Sequence, residues 1–154
     1  MKIRIELSED QKEDEVLIRC KQVDEKIQKI HRYILDQASS GLQIVFYKEN
    51  QEFYFSLDEI LFFETESPHI YAHTTNDAYR IKYRLYELEQ LLSKSFLRAS
   101  KSTIVNIRQV YSITRNITAS SLIQFKNSHK QIYVSRLYLK ELKQRLNERS
   151  SYEK

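Results

Sequence analysis

Between residues 42 and 134 the apolar side chains come in short alternating runs, and polar turns interrupt them every few residues. This pattern limits the fold more than any other feature. A period of two over four to six residues is that of a half-buried strand, and turn residues at this spacing leave no room for long helices. Strands are expected over 42–47, 52–55, 60–65, 70–74 and 79–83, separated by a polar turn at 48–51, a break at Pro68 and turn chemistry at Thr75, Asn76 and Asp77. A second group is expected over 96–98, 103–105, 110–113, 122–125 and 131–134, with a tight turn at 126–129. Helical spacing interrupts this regime in three places. Ser56 and Glu59 form a capping-box pattern for one short turn. Leu85, Leu88 and Leu91 or Leu92 mark a helix of two to three turns. Ser135 is a good N-cap for a final helix, in which Tyr138 or Leu139, Leu142 and Leu146 face a core while Arg136, Lys140 and Lys143 share another face. The expected class is mainly β, α+β overall, with one domain over 42–149 and a fraying tail over 150–154.

Ahead of this domain the regime differs. Residues 2–7 alternate Lys2, Arg4 and Glu6 against Ile3, Ile5 and Leu7, which reads as a strand, and Val16 to Ile18 read as a second one. From Val23 the spacing changes. Val23, Ile27, Ile30, Ile34 and Ala38 fall on one face of a helix that ends near Gly41, the chain's only glycine. Residues 1–41 are therefore expected to be a β-β-α appendage. A long apolar helix face needs a surface to cover, either the rest of the chain or a second copy of the same helix.

Charge is distributed unevenly. Residues 1–40 carry a net −1, residues 41–97 a net −4 and residues 98–149 a net +9, the last from 11 cations against 2 carboxylates. Those cations are scattered through strands and loops, among hydroxyl and amide side chains that pair with phosphate. A surface without an anionic partner would mix its signs, so the imbalance points to a polyanion, and to nucleic acid before membrane. The final helix needs its Leu/Tyr face for the core, which argues against a membrane surface.

Other classes find little support. One glycine in 154 residues leaves no glycine-rich phosphate loop. One cysteine, Cys20, allows no internal disulfide, and it is expected to be a small buried apolar residue. No apolar run approaches the ~20 residues that span a bilayer, and the amino terminus turns acidic at once, so a cytoplasmic location is expected. His69 and His73 share a strand face, but no further ligands complete a metal set. No serine sits in a nucleophile context, so neither an enzyme, a cofactor nor a small-molecule substrate is expected. No two adjacent helices form a helix-turn-helix. The aromatics, 11 Tyr among them, fit core and cross-strand packing better than base stacking. The reading left is a β-rich domain that meets DNA through its loops. A basic protein-interaction module such as an anti-regulator, or an RNA-binding β protein, is the alternative of a different kind.

Three ordered segments carry a family resemblance: ILFFETESPHIYAHT at 60–74, SFLRASKSTIVNI at 95–107 and NSHKQIYVSRLYLKEL at 127–142, with the helix RLYELEQLL between the first two. Residues 43–146 resemble a LytTR-type DNA-binding domain, the output module of the LytR/AlgR response regulators. The whole chain resembles the stand-alone Firmicutes members that carry a short N-terminal extension. The resemblance implies antiparallel β-sheets with short helices, whose loops enter successive major grooves along one face of promoter DNA. It implies base contacts from His69 and Arg136. Arg98, Ser100, Lys101 and Ser102 would form the central loop on the phosphate backbone. Several members have Asn or His in this loop where this chain has Ser100 and Lys101, which favours phosphate neutralisation by Lys101. Asn106 matches a near-constant family position, to contact DNA or to hold the loop's own backbone. Lys126 and Lys140 are expected on the backbone, and Ser135 to cap its helix, donate to phosphate, or both. A globule of this length is ~40 Å across, about one turn of DNA. One copy would then read one half-site, and a homodimer, formed through residues 1–41, would read a pair. The resemblance also suggests a small membrane regulatory protein as a partner.

Overall fold

A computed structural model describes residues 1–12, 14–38, 43–116 and 120–153. Within them a seven-stranded antiparallel sheet packs against a three-stranded one. The large sheet contains β1 (Phe46–Lys48), β2 (Gln51–Phe53), β3 (Phe62–Glu66), β4 (His69–His73), β5 (Ala78–Ile81), β6 (Phe96–Ser100) and β7 (Thr103–Asn106). Its strand order is β2-β1-β5-β4-β3-β7-β6. The small sheet has the order β10-β9-β8, from β8 (Val110–Thr114), β9 (Ser121–Phe125) and β10 (Gln131–Val134). The helices are α1 (Glu25–Ala38), α2 (Leu85–Leu91) and α3 (Arg136–Glu153).

Alternation explains the layering. On β3, Phe62 and Phe63 are both buried, and successive side chains leave opposite faces of the sheet. Phe63, with Ile104 of β7, joins a core with Phe46, Ala72, Ile81, Leu85 and Leu88, closed by α2. Phe62, with Val105, joins a second core with Ile123, Phe125, Ile132, Val134 and Leu142, closed by the small sheet and α3. The large sheet is thus covered on both faces, and Leu142 faces the core with Tyr138, Leu139 and Leu146 packed beside it, as the helical spacing predicts.

Turn chemistry follows the sequence too. Ser56 Oγ accepts from the Asp58 amide at 3.2 Å and starts a single 3-10 turn at Leu57–Glu59. The β1–β2 and β9–β10 turns each use a residue with positive φ, Glu49 and Asn127, both at 57°. With the chain's only glycine elsewhere, these turns rely on residues that pay a steric cost there, Asn the smaller one.

The appendage departs from expectation. Helix α1 forms, and Asp24 caps it by accepting from the Ile27 amide at 2.9 Å. The two strands ahead of it do not form: among the described residues 1–24 there is neither helix nor strand. A strand is stable only when its amide and carbonyl groups find a ladder partner, and a single chain offers none here. Ile3, Ile5 and Leu7 are 88%, 85% and 96% exposed, and neither core contains a residue of α1. Cys20, expected inside, is exposed for the same reason. The expected stop at Gly41 lies outside the described residues.

Candidate nucleic-acid interface

Two backbone hydrogen bonds bring three connecting segments to one edge of the molecule. At the end of β3 the Thr65 amide donates to Ser102 O at 2.8 Å, which ties the β3–β4 turn to the β6–β7 loop. At the end of β10 the Ser135 amide donates to Ala99 O at 2.9 Å, which ties the start of α3 to the same loop. A β-bulge makes the second bond available. The β6–β7 register shifts between Arg98 and Ser100, so Ala99 has no partner opposite it on β7.

The expected residues sort clearly against this edge. His69 opens β4, opposite Glu66, and its ring meets Tyr71 edge-on at 6.4 Å between centroids. Ser100, Lys101 and Ser102 form the loop, in which Ser100 Oγ accepts from the Ser102 amide at 3.2 Å, leaving Lys101 exposed. Arg136 and Lys140 are exposed on the first turns of α3. These residues come together on one side.

Arg98 belongs to the loop but faces inward. Its Nε meets Glu89 Oε1 of α2 at 3.0 Å and its Nη1 donates to Lys101 O at 2.8 Å. Only 18% of its side chain is exposed, so it braces the loop from behind. Asn106 is fully buried at the far end of β7; its amide donates to Ile60 O at 2.9 Å and its carbonyl accepts from the Arg108 amide at 3.1 Å. Its side chain holds backbone, but that of Ile60 and Arg108 and not that of the 98–102 loop. Lys126 stands at the opposite end of the small sheet, where its amide bonds Gln109 O. Ser135 does not cap with its side chain: Oγ is buried without a hydrogen-bond partner, while its carbonyl accepts from the Tyr138 amide.

His73 is at the other end of β4 from His69, ~13 Å away by strand rise. It stacks on Phe62 at 4.3 Å, and the Lys130 ammonium donates to its Nδ1 at 3.2 Å. That contact puts the ring proton on Nε2, which faces Glu64 at 3.7 Å. Burial, and then Lys130, lower the His73 pKa to about 4. Burial, and then Glu66, push Glu64 up. Glu64, Glu66 and His73 bring their polar atoms within 4.8 Å of one another. An Nε2–H offers no lone pair to a metal, so the cluster reads as an internal polar contact.

The LytTr DNA-binding domain model matches residues 50–147. The chain belongs to the LytTR family. Uncharacterized HTH-type transcriptional regulators of Staphylococcus aureus, from strains NCTC 8325 / PS 47 and COL, are each 28% identical over 147 residues, 96% of this chain and 99% of theirs. The LytTr DNA-binding domain of a Bacillus cereus response regulator shares the fold, with a TM-score of 0.61 and 23% identity over 68% of this chain and 96% of that one. The LytTR architecture here is not that of a helix-turn-helix. Among the described residues α1, α2 and α3 are separated by strands, and no two follow each other across a short turn. No helix among them is long and apolar enough to cross a membrane.

Proposed function

We propose that this LytTR protein is a transcriptional regulator whose joined edge reads promoter DNA in a sequence-specific way. The supporting observation is the pair of backbone bonds, Thr65 to Ser102 and Ser135 to Ala99, that sets His69, the 100–102 loop and Arg136 side by side. Arg136 is the base reader of choice, since a guanidinium matches guanine O6 and N7. His69 is the second. Lys101 and Lys140 neutralise phosphates, and Ser100 and Ser102 donate to them. Arg98 and Asn106 hold the frame.

The reading extends to a homodimer through residues 1–41. The alternating Ile3, Ile5 and Leu7 encode a strand that one chain leaves unpaired, and α1 keeps an apolar stripe that enters neither core. A second copy supplies both a ladder partner and a helix face, and the segment's net charge of −1 offers little self-repulsion. The protein would work in the cytoplasm, with a small membrane protein as its controlling partner on family grounds alone.

Selection of bound sites from a random duplex library tests the reading. The expected result is two short repeats about one DNA turn apart. Recovery of no enriched sequence would remove the claim of specific readout, and preferential binding of RNA over duplex would favour the RNA-binding alternative.

A further inference from the structure

Beside the reading edge lies a cleft of about 430 Å³, lined by Arg115, Asn116, Ser121, Arg136, Leu139, Lys140 and Lys143. Four of these carry positive charge and none carries negative charge. They come from separate elements. Arg115 and Asn116 follow β8, Ser121 opens β9, and the rest are on α3. Positions 136, 139, 140 and 143 recur at three- and four-residue spacing, so they share one face of the helix.

This arrangement gathers four like charges around one space. Like charges three and four residues apart repel one another. The positive end of a helix dipole favours acidic side chains, yet the first turn of α3 has none and begins with Arg136. That repulsion is offset when an external anion enters the cleft, because the four cations then act on it together. The size exceeds that of a bare phosphate and has room for one with its sugar.

We propose that this cleft seats a phosphodiester of the duplex flanking the bases read by Arg136, with Arg115 and Lys143 as contacts additional to the reading edge. Arg115 supplies a planar fork suited to two phosphate oxygens, and Lys143 a point charge from the opposite wall. The inference rests on the DNA-binding reading and adds a site to it. Free phosphate esters share the same chemistry, so the test must separate the two sources.

The full chain, its Arg115→Gln/Lys143→Gln variant and a control of equal charge loss, Lys48→Gln/Lys94→Gln, are titrated with the selected duplex and with a random duplex over a salt series. The double variant is expected to lose affinity by the same factor on both duplexes, about tenfold. The slope of log K against log salt should shrink in magnitude by about 0.9 for each lost phosphate contact. The control should keep the wild-type slope. A double variant with the control's slope and affinity overturns the cleft while leaving the DNA-binding reading intact. Failure of the wild type to bind any duplex removes both. In a second arm, calorimetric titration with thymidine 5′-monophosphate and with inorganic phosphate is expected to show no saturable binding at micromolar concentration. Tight binding there, abolished in the double variant, would assign the cleft to a small phosphate ester and overturn the duplex as its source.

Discussion

At the scale of single residues, the two arginines expected at the DNA differ in exposure. Arg136 is exposed on α3, whereas only 18% of the Arg98 side chain is exposed, between Glu89 and the Lys101 carbonyl. Replacing Arg136 by Ala should cost ~1–3 kcal/mol on the selected site and flatten the preference for it, whereas Lys101→Ala should weaken selected and random duplexes alike. Fluorescence anisotropy with both duplexes checks this, and equal losses for the Arg136 variant would refute its reading role. His73 yields a different kind of prediction. Its neutral ring is the folded form, and unfolding frees a ring that takes up a proton below about 6.5. Stability from this group is therefore complete above 6.5 and drains away as the pH falls towards about 4. The loss should be about 2 kcal/mol once the solvent reaching part of the ring is allowed for. Urea midpoints across that window should fall for the wild type and flatten for His73→Phe, which keeps the stack on Phe62. Sequence reasoning could nominate His69, Lys101 and Arg136 because charge and motif position are written in one dimension. It could not assign Arg98 inward, since its partner Glu89 is on a different element and only the fold brings them together.

At the scale of elements, period and turn chemistry located the ten strands among the described residues and the helices α2 and α3, with ends that moved by a few residues. Ladder hydrogen bonds, not hydropathy, set those ends. The same logic failed for residues 2–7 and 16–18. Alternation says which face a strand would bury, but not whether a neighbour exists to pair with it. The turns offer a quantitative check. Glu49 holds a φ of 57°, where a Cβ costs about 1–2 kcal/mol. Glycine removes that cost but gives back part of it as unfolded-state entropy. Glu49→Gly should therefore stabilise the protein by about 0.5–1 kcal/mol, and Asn127→Gly by less, because Asn already tolerates this region. Thermal unfolding of both variants tests the order. A destabilised Glu49→Gly would mean that the glutamate side chain contributes more than its backbone strain removes.

At the scale of the molecule, a basic face is on α3 and the loop beside it, and Ile3, Ile5, Leu7, Val16 and Leu17 stand exposed ahead of α1. Deleting residues 1–41 should leave a folded monomer that keeps both cores, since neither draws on that segment. Sedimentation velocity should show dimer for the full chain and monomer for the truncation, and an unchanged state would exclude dimerisation through this segment. The bulge at Ala99 has a consequence for how such a chain can diversify. Because main-chain atoms join the three segments, the distances between His69, the 100–102 loop and Arg136 do not depend on which side chains stand there. Exchanging those side chains would then rewrite the letters of the bound site, while the interval between the letters stays as the backbone sets it. Chains sharing this bulge are expected to differ in operator sequence and to agree in operator spacing.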